Sequence, residues 1–392
     1  MQRNYGTIVK DGAAVLVPMN ADAQDVLPPP NEKWHQHAEK RFASPFTGQK
    51  FDRIDVDAMM LSHAAIISGY TINDFYTKPE LGAACVANAS EMYDLIPMTH
   101  WYFSLPWVAE MGAEVQFRSL LPPVVKEPNI KDLEMVDALE VPDLKEMEKG
   151  FTGQLMIRAQ DHIQKHTPKK FVPMTYTSDL TGGGAQLCGI ENFIMWTMTE
   201  RDAVHKLVKK YAEVAINGAE MMANRYGMAF ISTGSVLANN DIFSDADIED
   251  LSARYLHNFV DKCLRKGAGP QVLYHLCGNH ETSYKMFKDK LIFTPFTIVH
   301  AGYMGREVFP SDLLMKEYGD VATIMGSVDT KMMILPNPKR IYEQAKEQLI
   351  RGRDSKNGYI LGTACELPPD AYPANVYALV QAARDYGTYG TW

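Results

Sequence analysis

The sequence predicts an α/β fold, a (β/α)8 (TIM) barrel with an N-terminal extension, and three observations carry that reading. Short β-rich runs alternate with longer helical patterns through the second half of the 392-residue chain. That alternation means parallel strands joined by crossover helices. No G-x-G-x-x-G follows an early strand, so the open dinucleotide-binding sheet loses ground to the barrel. Several polar side chains stand at the C-terminal ends of the expected strands, where barrels place their chemistry.

The strands are expected at Phe171–Thr177, Met228–Thr233, Gln271–Cys277, Phe293–His300, Val321–Gly326 and Gly358–Cys365. Between the first two, Val204, Leu207, Val208, Tyr211 and Val214 fall at helical spacing. The helix is read as Thr199–Tyr226, with Thr199 as N-cap and Asp202 three residues on. Ser244–Arg265, Pro338–Arg351 and Ala374–Tyr386 are the next helices. Residues 1–50 are irregular and rich in Pro, Asn and Lys, and read as an arm or cap; residues 51–392 read as the barrel domain. Residues 119–150 are mixed, with an acidic helix-compatible stretch through Glu148.

Net charge is 39 − 48 = −9. An acidic chain argues against a nucleic-acid partner, which needs a basic stripe. Five cysteines, an odd number in a long chain, fit a reducing compartment better than a disulfide framework. No apolar run reaches the roughly 18 residues of a membrane span, and no apolar core opens the sequence as in a signal peptide. A soluble cytoplasmic protein is expected.

The segment Tyr274-His275-Leu276-Cys277-Gly278-Asn279 is the most informative. On a strand, His275 and Cys277 point the same way, and turn formers follow. Cys365 likewise ends an apolar run, 365 − 277 = 88 residues later, with room for two strand-helix units between. An imidazole and two thiolates suit Zn²⁺, and three protein ligands leave a fourth position open. Core packing is the alternative reading for each of the three. Asn240, Asp241, His300 and Asp329 follow other strands and either line a pocket or cap helices. Gly182-Gly183-Gly184 reads as a loop able to cradle an anion, or a plain flexible one. Arg53 is a candidate carboxylate binder or a surface ion pair; Tyr70, Tyr76 and Trp101 are candidate aromatic stackers or core.

These residues resemble a known family. Tyr274 to Asn279, Gly326-Ser327-Val328-Asp329, Ala364-Cys365-Glu366 running on to Asp370 and Asn375, Gly189 to Phe193 and Asp52-Arg53-Ile54 are similar to the uroporphyrinogen decarboxylase superfamily. The resemblance spans roughly residues 50–388. H-x-C with a distant Cys is similar to its cobamide (corrinoid)-dependent zinc methyltransferase branch. The resemblance implies a (β/α)8 barrel, His275, Cys277 and Cys365 as zinc ligands, and a corrinoid-binding protein as partner. The arginine-rich R-Q-A-G-R-type segment of the decarboxylases is not found here, and Ala364-Cys365 stands where they carry Gly-His. Thiol-methylating members usually show Gly-Cys-Gly, where this chain has Ala-Cys-Glu.

Three functions follow as expectations. In the first, a methyl group moves from a small donor, such as a methoxylated aromatic, to Co(I) of a corrinoid protein. Zinc serves there as Lewis acid, with Glu366 or Asp329 orienting a ligand and Asn240, Asp241 and Asp329 as cofactor-side residues. In the second, zinc activates a thiol such as coenzyme M for alkylation by methylcobalamin or an epoxide. In the third, the chain is a scaffold without catalysis. A homodimer is compatible with all three.

Overall fold

A computed structural model describes residues 5–10, 13–18, 31–97, 101–166, 174–176 and 179–391. Seven parallel strands form its central sheet: Val56–Asp57 (β1), Met174–Tyr176 (β2), Phe230–Ser235 (β3), Val272–Asn279 (β4), Thr297–Met304 (β5), Thr323–Val328 (β6) and Tyr359–Thr363 (β7). Their order is β1-β7-β6-β5-β4-β3-β2. The last strand therefore lies beside the first, as a closed barrel requires. On the other side of β1, Ile96 N–H donates to Val56 O at 3.0 Å, in the eighth strand's place. Glu307–Val308 folds back antiparallel onto β5. Outside the barrel, Tyr5–Lys10 pairs antiparallel with Ala13–Pro18.

Five of the six expected strands fall wholly within the described residues, displaced by one to four positions. The part of Phe171–Thr177 that is described is β2; residues 171–173 and 177 lie outside the described residues. The largest displacement is β5, expected at 293–300 and found at 297–304. Thr294 explains it: its hydroxyl accepts from Phe296 N–H at 3.1 Å and donates to Pro270 O at 2.6 Å. A Thr-Pro-Phe turn thus occupies the start of the apolar run. His300 is consequently in mid-strand.

Two helix readings change. Thr199 is the last residue of the Ile190–Thr199 helix, and Arg201–Tyr226 starts after Glu200 with no side-chain cap. The Thr199 hydroxyl donates back to Met195 O at 3.2 Å, which removes it from capping duty. Gly182, Gly183 and Gly184 lie in the Leu180–Cys188 helix, not in a loop. Asp179 caps that helix by accepting from Gly182 N–H. The helix read as Ser244–Arg265 starts at Asp245 with Ser244 as its N-cap, and Glu249–Ala253 forms a π-turn before the helix continues through Arg265.

Gly183 permits close packing. A Cβ there would overlap the ring of Tyr211, which is fully buried and anchored by its hydroxyl to Pro106 O at 2.9 Å. Gly183→Ala gains about 1 kcal/mol of helix propensity but overpacks the contact by about 1–3 kcal/mol. We expect a net loss of stability; a variant that melts above the parent in a thermal scan would contradict this.

The arm also carries order. Glu32–Thr47 is a helix, capped by Asn31 accepting from Lys33 and Trp34 N–H. Phe42 and Phe46 pack against Leu273, Ile298, Met325 and Ile360, which project from early positions of β4, β5, β6 and β7. The helix therefore stops the base of the barrel. Its buried Arg41 donates to Asp55 Oδ1 (2.8 Å), Asp94 Oδ1 (3.1 Å) and Leu95 O (3.2 Å). No helix among the described residues is long and apolar enough to cross a membrane.

Candidate metal centre

Alternation along β4 decides what enters the barrel. Val272, Tyr274 and Leu276 are fully buried against the outer layer, while Leu273, His275 and Cys277 are partly accessible and line an internal cavity. Cys365 follows β7 and reaches the same cavity. One ligand atom from each of His275, Cys277 and Cys365 lies within 4.8 Å of the others. The two sulfurs are 3.4 Å apart. A soft donor set this compact fits a zinc ion, whose bonds to nitrogen and sulfur are about 2.0–2.3 Å.

The two thiols differ. Cys277, hydrogen-bonded to Cys365 and buried, is pushed well above the usual thiol range. Cys365 is held well below it, first by that same hydrogen bond and then by the neighbouring His275. Cys85, Cys188 and Cys263 are buried elsewhere, each pushed up to about 12 by burial.

Behind His275 stands His300, register partner on β5, with Nδ1 to Nδ1 at 2.7 Å and rings stacked at 14°. His280 braces the turn after β4, its Nε2 lying 3.1 Å from Cys277 O and 3.2 Å from Ser235 O. Burial lowers its pKa to about 4, which keeps the ring neutral. His280 was missed in the sequence because it follows the turn formers Gly278 and Asn279. A third polar residue of that segment is the signal that could have found it.

The cavity measures 170 Å³. Its lining is largely apolar, with Met59, Leu61, Val86, Tyr102 and Phe230 among the walls and the carboxyls of Asp57 and Glu366 facing in. Burial raises Glu366 to about 7, aided by the Cys365 charge; it accepts from Ser62 Oγ at 3.1 Å. Burial raises Asp57 to about 6, although Met59 N–H donates to it at 2.9 Å. Asp57 lines the cavity, and burial is the largest cause of its shift. A raised carboxyl stabilises the fold at low pH, and that contribution disappears as pH climbs from about 4 through 6. Asp57→Asn should then be more stable than the parent at pH 8, by on the order of 2 kcal/mol, and equal to it near pH 4. Urea titrations at both pH values check this; a constant difference would refute it.

The other expected residues lie elsewhere. Asn240 and Asp241, on the loop after β3, tie it to the loop after β4. Asn240 Oδ1 accepts from Thr282 and Ser283 N–H (both 3.2 Å), and Asp241 Oδ1 accepts from Asn279 Nδ2 at 3.0 Å. Asp329 Oδ1, after β6, accepts from Tyr303 Oη and Lys331 N–H (both 2.9 Å). None of the three lines the cavity. Arg53 is buried against Asp94 and the Ile54 carbonyl, neither on the surface nor open to a ligand. Tyr70, Tyr76 and Trp101 are core residues, with Trp101 donating to Phe75 O at 3.1 Å.

The parallel barrel brings His275, Cys277 and Cys365 together at one cavity near the ends of its strands, a group of donors that could hold a metal ion. The sequence matches the family described as Uroporphyrinogen decarboxylase (URO-D) over residues 37–386, and the chain belongs to that family. No curated protein matches it. Among solved structures it is similar to a methyltransferase from Methanosarcina mazei. That protein is 19% identical, with 89% of this chain and 98% of that chain covered at a TM-score of 0.73, which establishes the shared fold.

Proposed function

We propose that the chain is a zinc-dependent methyltransferase. In this reading a methyl group passes from a small methyl ether, such as a methoxylated aromatic, to the cobalt of a corrinoid carried by a separate protein. The observation that carries it is the His275, Cys277 and Cys365 triangle opening onto an enclosed, mostly apolar cavity. The Methanosarcina mazei methyltransferase, alike in fold, supports the reaction class. His275, Cys277 and Cys365 would hold the zinc, which would supply Lewis acidity at the leaving oxygen when bound.

The residues of this chain account for the rest. A cavity of 170 Å³ is of the size that holds one benzene ring, since an apolar cavity of about 150 Å³ binds benzene. Tyr102 and Phe230 supply aromatic walls. Asp57 stands ready to accept a hydrogen bond from a ring hydroxyl. No Lys or Arg is among the described residues lining the cavity, and two carboxyls are. That favours an uncharged ether over a sulfonate-bearing thiol such as coenzyme M, which needs a cation. Asn240, Asp241 and Asp329 hold the loops at the rim, the side from which the corrinoid protein would approach.

The test is metal analysis, then the chain with Co(I) corrinoid protein and a panel of methoxyaromatics, methylamines and thiols, followed by the cobalt spectrum. Methyl-Co(III) formation from an ether is expected. No methyl transfer in either direction overturns the proposal.

A further inference from the structure

The barrel interior carries a polar layer above an apolar one. Leu273, Ile298, Met325 and Ile360 form the lower layer with Phe42 and Phe46. Two residues further along β4, β5 and β6 stand His275, His300 and Ser327, all directed inward by strand alternation. Their hydrogen bonds form one directed chain. Ser327 Oγ donates to Ala301 O at 2.6 Å, so its oxygen has a lone pair to offer. His300 Nε2, 2.9 Å away, must then be the donor to it. His300 is fully buried, and no carboxylate is hydrogen-bonded to it among the described residues; a neutral ring is the form such a place holds. Its Nδ1 is therefore an acceptor. The facing Nδ1 of His275, at 2.7 Å, must donate.

We propose that His300, braced by Ser327, fixes His275 in the Nδ1–H tautomer and so presents the Nε2 lone pair to the metal. His300 is a positioning residue, acting through His275. The inference rests on the zinc reading of the three ligands. A ligating histidine ordinarily donates its second N–H to a carboxylate, a backbone carbonyl or water. Here a second imidazole takes that role, oriented in turn by a serine and a main-chain carbonyl.

The full chain is tested by zinc competition against a chromophoric chelator, with thermal melting as a control on folding. His300→Phe keeps a stacked ring and removes the acceptor; it should bind zinc about 10- to 100-fold more weakly. His300→Asn places a carbonyl oxygen near the former Nδ1 and should recover most of that loss. If the Phe variant does not fold, Ser327→Ala serves: it frees His300 to flip and should weaken zinc several-fold. Two-bond ¹H–¹⁵N spectra of histidine-labelled, zinc-loaded chain should show His275 protonated at Nδ1 and metallated at Nε2. Metal at Nδ1 overturns the proposal, as does unchanged affinity in the folded variants. Zinc binding through Nε2 without methyl transfer would sink the functional reading and leave this one intact. A parent chain that binds no zinc sinks the zinc reading itself.

Discussion

Cys365→Ala is expected to abolish both metal and turnover. The substitution removes one sulfur donor and leaves His275 and Cys277, two donors where a zinc site with an open position uses three. Zinc content by elemental analysis should fall from about one per chain towards zero. Methyl transfer to cobalt should fall by about 10³-fold or more, the equivalent of losing several kcal/mol of charge stabilisation. Folding should be little affected, because Cys365 lies at the cavity and not in the packed core. Cys263→Ala gives the contrast: that thiol is buried in a helix, so its loss should lower the melting temperature and leave zinc in place. Full turnover in metal-free Cys365→Ala would end the case for catalytic zinc, and so would the same result for Cys277→Ala.

The largest effect on stability is expected at the base of the barrel, from Arg41→Met. Arg41 and Asp55 are each about 1% exposed and joined at 2.8 Å. With Arg41 gone, Asp55 keeps the Val56 N–H at 3.0 Å but, among cations, falls back on the more distant Arg53, at 3.9 Å. A buried carboxylate stripped of its partner costs about 3–5 kcal/mol. Asp94 loses a partner too, retaining Arg53 and Arg384, each at 3.0 Å. Burial alone would raise Asp94, but Arg41 and Arg53 hold it well below the usual carboxylate range. A depressed carboxyl stabilises the fold above its unfolded pKa of about 3.9, and that contribution is lost as pH falls further. The variant should therefore be less stable at pH 7 and show a shallower loss in acid. Chemical denaturation at pH 7 and pH 3 measures both. A change below about 1 kcal/mol at neutral pH would mean that the network behaves as a solvent-screened surface pair.

Much of this was legible in the sequence, and the failures have physical causes. Alternation along Leu273 to Cys277 was readable because His275 and Cys277 stand two apart in an otherwise largely apolar β4 and so share its inner face. Cys365 was readable because an apolar run ended at it. The position of His300 was not, since a single Thr294 hydroxyl decides where β5 begins. Gly182 to Gly184 read as a loop because glycine is a poor helix former; what the sequence did not show is the Tyr211 ring that Gly183 admits, a tertiary contact. The Glu32–Thr47 helix was hidden by Pro45 and by a contact face built from two phenylalanines against strands more than two hundred residues away. Arg53 read as a carboxylate binder or a surface ion pair because its partners, Asp94 and a main-chain carbonyl, were not evident from its neighbours.

The stop at the base bears on the order of events. Phe42 and Phe46 cover the early strand positions, so a corrinoid protein of the kind proposed would meet the cavity from the strand C-terminal side. On the proposed function, the substrate and the corrinoid protein would approach from the same side of the barrel. The small molecule would then have to bind before the large one docks, and the demethylated product would leave only after it departs. Such a sequence has a kinetic signature: turnover rises with corrinoid protein, passes through a maximum, and falls as the excess occupies empty enzyme.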